Sequence, residues 1–195
     1  MHKIVVYDNP VLRKKAEPVG DIDKKIRLLL KDMAGVMSKE GGVGIAAPQV
    51  GESVQAAIVD ISPKYGGKGR IVLLNPRIIS GSGSSAGDEG CLSVPGVQVK
   101  VKRYHQIKME GLNINGELVN YQCSGLLARA MQHEIDHLNG ILIIDKMNKI
   151  RKYLAERKYY SSYAEKSPLA ISSPVKIGRF SRIKSLELPA KHGNS

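Results

Sequence analysis

His133-Glu134-Ile135-Asp136-His137 constrains this chain more than any other stretch of it. Two histidines four apart on a helix share one face, separated by roughly 6 Å of axial rise, so both imidazoles can reach one small cation. Glu134 is turned about 100° from His133 and reaches a water on that cation without ligating it. This is the arrangement of zinc-type hydrolases, with the glutamate as general base. The competing reading is a pair of histidines on a solvated helix face, and the apolar residues around them argue against it. Leu127, Met131, Ile135 and Leu138 fall on the far side of the wheel and face a core. Leu126 and Ala130 lie one to two turns earlier on the cation side, where the small Ala130 leaves room. Ser124 suits an N-cap and Gly140 a C′ position.

A hydrolytic metal site needs a third protein ligand and one open position. The usual source is a histidine or glutamate downstream of the second histidine. Downstream here are only His192, Glu156, Glu165 and Glu187, in no recognisable pattern. Cys91, in Glu89-Gly90-Cys91-Leu92-Ser93, is the better candidate. A lone thiol is more often a buried apolar residue, and Cys123 is expected to be one.

With 195 residues the chain suits one domain with a core that needs no disulfides, and it has only two cysteines. Free thiols, no signal-like N-terminus and no long apolar run point to a cytoplasmic protein without a membrane span. The net charge of +12 is uneven: from Lys146 onward there are twelve Lys/Arg against three Asp/Glu. Such a tail either attracts a polyanion such as RNA or simply solvates the protein.

Along the chain, Lys3–Tyr7 reads as a strand ended by the turn Asp8-Asn9-Pro10. Asp21 caps a helix on which Ile22, Ile26, Leu29, Leu30, Met33 and Met37 repeat at helical spacing, stopped by Gly41-Gly42. Gly42–Gly51 is a Gly/Ala-rich turn that fits neither nucleotide-loop pattern. Val54–Ile61 and Ile71–Leu74 read as strands, with another after Asn75-Pro76. Ser80–Ala86 and Gly87 read as a flexible loop, and Val97–Met109 as one alternating strand. Asn113–Gly116 is a hairpin turn and Glu117–Cys123 its return strand. After the histidine helix come a short strand, Ile141–Ile144, and a helix from Asn148 to Ala164. Residues 166–195 read as a basic, flexible extension beyond a catalytic domain of residues 1–165.

Gly42-Val43-Gly44-Ile45-Ala46-Ala47-Pro48-Gln49, Glu89-Gly90-Cys91-Leu92-Ser93 and Gln132–Leu138 resemble, in order and spacing, the three signature motifs of the peptide deformylase family. The resemblance runs from Ile4 to Met147; one departure is Tyr7-Asp8, where the family usually has Tyr-Pro. It implies an α+β fold with antiparallel β-sheets packed around a central metal-binding helix, flanked by an N-terminal and a C-terminal helix. It implies Cys91, His133 and His137 as ligands of one divalent metal ion, and Glu134 as catalytic acid/base. Ferrous iron is the expected metal, with zinc or nickel accepted. The Gln49 amide and the Leu92 backbone N–H would stabilise the oxyanion. Val43, Gly44 and Gly90 would pair with an extended peptide, and Leu126, Arg129 and Ala130 would shape a methionine pocket. Asp136 and Arg103 would either support the ligands or form a structural ion pair. The implied reaction removes the formyl group from N-formyl-methionyl peptides, the nascent chains of a bacterial cytoplasm, with the basic tail touching the ribosome or its RNA. A metalloprotease lacking any role for Cys91, and a non-catalytic RNA-associated module, are the two alternatives.

Overall fold

The computed structural model describes residues 2–62 and 69–164; the extension 166–195 lies outside them. Among the described residues, three α-helices and seven strands form an α+β fold: α1 (Lys24–Lys39), β1 (Gly44–Ala46), β2 (Ala56–Val59), β3 (Ile71–Ser82), β4 (Ser85–Gly90), β5 (Gln98–Arg103), β6 (Gln106–Leu112), β7 (Leu118–Ser124), α2 (Gly125–Leu138) and α3 (Lys149–Ala164). The larger sheet has the order β1-β2-β3-β6-β7, all antiparallel; β4 and β5 make a separate antiparallel pair.

The histidine helix α2 lies at the centre. It packs on β1, β2 and β7, burying Ala128, Met131 and Leu138, while Leu127 and Ile135 pack half-buried against the same core. Ser124 sits at its N-cap without a side-chain bond to the helix, and the chain leaves through Gly140 at φ 72°. A Cβ at Gly140 would meet the Arg13 carbonyl oxygen at 2.6 Å, so the stop signal also carries a close backbone approach. Helix α1 starts at Asp23, whose side chain accepts from the Ile26 N–H at 2.9 Å, rather than at the expected Asp21. Its Leu29, Leu30, Met33 and Met37 stripe meets Ile45, Ile58 and Leu74.

Several expected elements differ. Residues 3–7 make no ladder; the Val5 N–H donates to the Gln49 carbonyl at 2.9 Å. The strand expected over 54–61 narrows to Ala56–Val59. Asn75-Pro76 does not divide β3, because a register shift between Leu74 and Arg77 bulges the strand past the missing N–H. Asn75 takes φ 52° there and is held by reciprocal 2.8 Å bonds to the Val19 backbone. The Gly/Ser run 80–87 is not a loop. It completes β3 and begins β4, with only Gly83-Ser84 between them. The strand expected over 97–109 is two strands, β5 and β6, bent at Tyr104-His105 opposite that junction. Val99, Val101, Arg103, Ile107 and Met109 stay on buried positions through the bend, so alternation alone gives no sign of it. Residues 143–146 form a 3-10 turn in place of the expected strand, because the Asp145 carboxylate accepts from the Leu142 N–H at 2.9 Å and curls the backbone.

Candidate metal centre and cleft

The expected ligands come together. Cys91 follows β4, and His133 and His137 lie one turn apart on α2; one ligand atom from each falls within 4.8 Å of the others. Cys91 Sγ is 3.2 Å from His137 Nε2. A tetrahedral ion bound to sulfur and nitrogen sets such an edge at about 3.5 Å, so the spacing fits one dication with little adjustment. Charge fits as well. Burial opposes protonation of His133, but hydrogen bonds to Cys91 and Glu89 outweigh it and raise its pKa to about 10. The groups that favour positive charge at this ring are thus Cys91 and Glu89. At His137 burial dominates, and with His133 beside it the imidazole is held neutral, the form that ligates. Cys123, by contrast, is buried in the apolar core under β7, with its thiol pushed up by burial.

Glu89 is the functional residue that sequence reasoning missed. Its Oε2 accepts from His133 Nδ1 at 3.0 Å, which turns Nε2 toward Cys91. Arg103 donates to both of its oxygens, at 2.9 and 2.8 Å, and Arg129 donates to Oε1 at 2.7 Å. Burial would raise the Glu89 carboxyl, but the bonds from Arg103 and His133 win and hold it well below the usual range. Arg103 also binds Asp136, so the two readings of that pair merge: it is an ion pair, and through Glu89 it supports His133. The only available signal was position, since Glu89 sits two residues before Cys91.

Glu134 is 4 % exposed, and its Oε2 has no hydrogen-bond partner among the described residues. Burial raises its pKa to about 7 against the opposing pull of His133 and Arg103. Gln49, at 1 % exposure, lies across from it in the 3-10 turn Ala47–Val50. Its Oε1 accepts from the Ala46 N–H at 2.8 Å, which fixes the amide so that Nε2 faces Cys91 Sγ at 3.7 Å. The amide N–H therefore points into the centre and not away from it.

These groups lie along one cleft of about 860 Å³. Val43, Gly44 and Gln49 form one wall, and Gly90, Cys91 and Leu92 the other. Leu126, Arg129, Ala130, His133 and Glu134 line it from α2. Arg129 does more than flank a mouth: its guanidinium also binds the Ser85 and Val101 carbonyls at 2.8 and 2.9 Å, pinning the β4–β5 ribbon to the helix. Among the described residues no helix is long and apolar enough to cross a membrane.

A family model described as polypeptide deformylase matches residues 1–153. A peptide deformylase from Halothermothrix orenii is 50 % identical over 142 residues, covering 73 % of this chain and 90 % of its own. The crystal structure of a peptide deformylase from Legionella pneumophila superposes with a TM-score of 0.80 at 37 % identity, covering 85 % of this chain and 97 % of that one. A Met-Ala-Ser-bound class I type b peptide deformylase from Acinetobacter baumannii gives 0.70 at 35 % identity, over 74 % of this chain and 96 % of that one. With that much of the sequence matched and the Cys/His/His cluster assembled in its cleft, the chain belongs to the polypeptide deformylase family.

Proposed function

We propose that this enzyme removes the formyl group from the N-terminal formyl-methionine of nascent polypeptides, with Cys91, His133 and His137 holding one divalent ion. Ferrous iron is the proposed ion in the bacterial cytoplasm, since one thiolate and two imidazoles suit iron or zinc. Such an ion supplies a Lewis acid for the carbonyl and brings the pKa of a bound water down to about 7. Glu134 takes the proton of the attacking water as its oxygen joins the formyl carbon. As the C–N bond breaks, Glu134 returns that proton to the departing amine, and formate leaves. A carboxyl raised to about 7 by burial is suited to both halves of this transfer. The carbonyl oxygen gains negative charge during the attack, and the Gln49 amide and the Leu92 N–H are the donors that stabilise it.

The peptide lies extended in the cleft, pairing with Val43 and Gly44 on one side and Gly90 on the other. Its methionine enters the pocket shaped by Leu126, Arg129 and Ala130. The basic tail, residues 166–195, adds attraction to ribosomal RNA, on the strength of its excess of Lys and Arg. Deleting it should weaken ribosome binding, and unchanged binding would remove the tail from this account. The protease alternative gains nothing from the site, since the residue beside the paired histidines is Cys91 and none downstream of His137 joins it among the described residues.

The observation that carries the reading is the unpartnered, buried Glu134 oxygen in the wall of the cleft that holds the Cys/His/His cluster. Formate release from formyl-Met peptides tests it, measured beside metal content for wild type and Glu134→Ala. The expected result is equal metal content with formate release lost in the variant. Metal-loaded wild type that releases no formate would overturn the reading.

A further inference from the structure

Helix α3 continues past residue 153, where the match to the family model ends, and its later turns carry Glu156, Tyr159 and Tyr160. These close onto the N-terminal segment at Tyr7-Asp8, the step where the chain departs from the family's usual Tyr-Pro. The Tyr7 hydroxyl donates to Glu156 Oε1 at 2.6 Å, and the Tyr160 hydroxyl donates to Asp8 Oδ1 at 2.6 Å. A proline at residue 8 would offer Tyr160 no side-chain acceptor. The Tyr7 ring meets the Tyr159 ring edge-on at 5.6 Å, with the Arg13 guanidinium 5.2 Å from the Tyr7 centroid. Burial and the bond to Glu156 push the Tyr7 phenol up to about 12, so it stays a donor at neutral pH.

This closure meets the cleft from behind. Tyr159, 3 % exposed, shares one core cluster with Val94, Val97 and Leu142, and Cys91 packs half-buried against it. Cys91, Val94 and Val97 also line the cleft, as does Lys158, the residue before Tyr159. Residues 91–97 lie between β4 and β5 and belong to neither strand. Turn bonds join the Val94 N–H to the Cys91 carbonyl at 3.1 Å and the Val97 N–H to the Val94 carbonyl at 3.4 Å. A segment outside any ladder takes its position from what packs on it, and here that core includes Tyr159. Val5, Val6 and Tyr7 pack on the same cluster, and Val5 bonds to the Gln49 carbonyl of the opposite wall.

We propose that Tyr7, Glu156 and Tyr159 are positioning residues for the reaction. Closed on the N-terminal segment, α3 holds the Cys91–Val97 wall at the distance from Gln49 that an extended peptide needs, a role that rests on the deformylase reading.

The test compares metal-loaded, full-length wild type with Tyr7→Phe, Glu156→Leu, their double variant, Tyr159→Phe and Tyr159→Ala. Ile107→Ala, in the core under β6 and β7, reports the effect of lost stability alone. Hydrogen exchange is read at the Val94 and Val97 amides, and kcat and KM are read on formyl-Met-Ala-Ser. In Tyr7→Phe and Glu156→Leu, exchange at both amides should quicken about fivefold, the size of one lost hydrogen bond, and KM should rise by a similar factor with kcat within about twofold. The double variant should go no further than either single one, since both remove the same bond. Tyr159→Ala should change both readouts most, and Tyr159→Phe, which keeps the ring, should stay closer to wild type. Ile107→Ala should lose Tm and move neither readout. Wild-type exchange in Tyr7→Phe and Glu156→Leu overturns the proposal, and these two decide it if Tyr159→Ala does not fold. Faster exchange with an unchanged KM, or an equal rise of KM in Ile107→Ala, reduces α3 to a stabilising element and also overturns it. Either result leaves deformylation standing. A wild type that releases no formate from formyl-Met-Ala-Ser overturns the deformylase reading and the positioning role with it.

Discussion

Glu89 Oε2 lies 3.0 Å from His133 Nδ1, and the same carboxylate receives both Arg103 and Arg129. One side chain on β4 thus orients the imidazole proposed as a ligand and neutralises two buried guanidinium groups. Glu89→Gln keeps the shape but loses the charge that favours the ligating tautomer. Metal affinity should fall about 10–100-fold, read as metal retained after dialysis against a buffered chelator. Glu89→Ala should also cost about 3–5 kcal/mol in urea unfolding, because it strands buried charges. Wild-type metal retention in both variants would refute this role.

Gly44 carries the second prediction. A Cβ there would stand 2.3 Å from Glu134 Oε1 and 2.9 Å from its Cδ. Gly44→Ala therefore has to push the Glu134 carboxylate off its position, or push β1 off α2. Misplacing a reacting group by about 1 Å can cost on the order of a hundredfold in rate. The expected outcome is a kcat loss of that size with metal content intact, since neither Cys91 nor the histidines are touched. A loss confined to KM would mean that Gly44 serves only peptide pairing.

Both cases show what the sequence could and could not reveal. The His133/His137 spacing is local, so the helical period carries it directly, and Cys91 is drawn in by the need for a third ligand. Glu89's role is not local: it depends on β4 and β5 folding back so that Arg103, fourteen residues later, and Arg129, on α2, meet over one carboxylate. No periodicity encodes that meeting. The same holds for the bend at Tyr104-His105, where His105 turns outward and the inward phase resumes at Ile107. The Tyr104 ring lies against Gly81, where a Cβ would meet it at 2.4 Å, so glycine in that Gly/Ser run marks packing and not looseness. At residues 3–7 a short apolar run was present but no partner strand was, and the segment instead bonds to the turn that carries Gln49.

Gln49 tests whether a donor or only a shape is needed. Gln49→Glu keeps an oxygen for the Ala46 N–H but removes the N–H aimed at the centre and adds charge where an oxyanion forms. A fall in kcat of roughly 10²–10³-fold is expected, with far-UV circular dichroism unchanged. Gln49→Ala should lose a similar factor and some stability besides, as the buried Ala46 N–H is left unpaired. Equal kcat in Gln49→Glu and wild type would exclude Gln49 as a donor to the reacting carbonyl.

Removing the metal should lower stability as well as activity. A ligand bound only by the folded chain contributes about 2.7 kcal/mol at a hundred times its dissociation constant. Dialysis against chelator should lower Tm, and restoring ferrous iron or zinc should recover it. In Cys91→Ala the metal-dependent part of the Tm should shrink or vanish. A Tm indifferent to metal in wild type would argue against a three-ligand centre on α2 and β4.

Asp145 gives the acid dependence of stability. Its carboxylate binds Lys152 Nζ at 2.6 Å, the Leu142 N–H at 2.9 Å and Arg13, joining α3, the 3-10 turn and the N-terminal segment. Burial pushes its pKa up, but the bonds from Lys152, Leu142 and Arg13 prevail and hold it below the ordinary value. The folded chain therefore binds this proton more weakly than the unfolded chain does. The stabilisation is full above the unfolded pKa of about 3.9 and is lost as pH falls through the lower folded value. Asp145→Asn should cost about 1 kcal/mol at pH 7, a figure kept small because the pair is partly exposed to screening solvent. The gap between wild type and variant in urea unfolding should then narrow as the solution is acidified below the unfolded value of about 3.9. A gap that widened on acidification would mean that the carboxylate is not the form these cations hold.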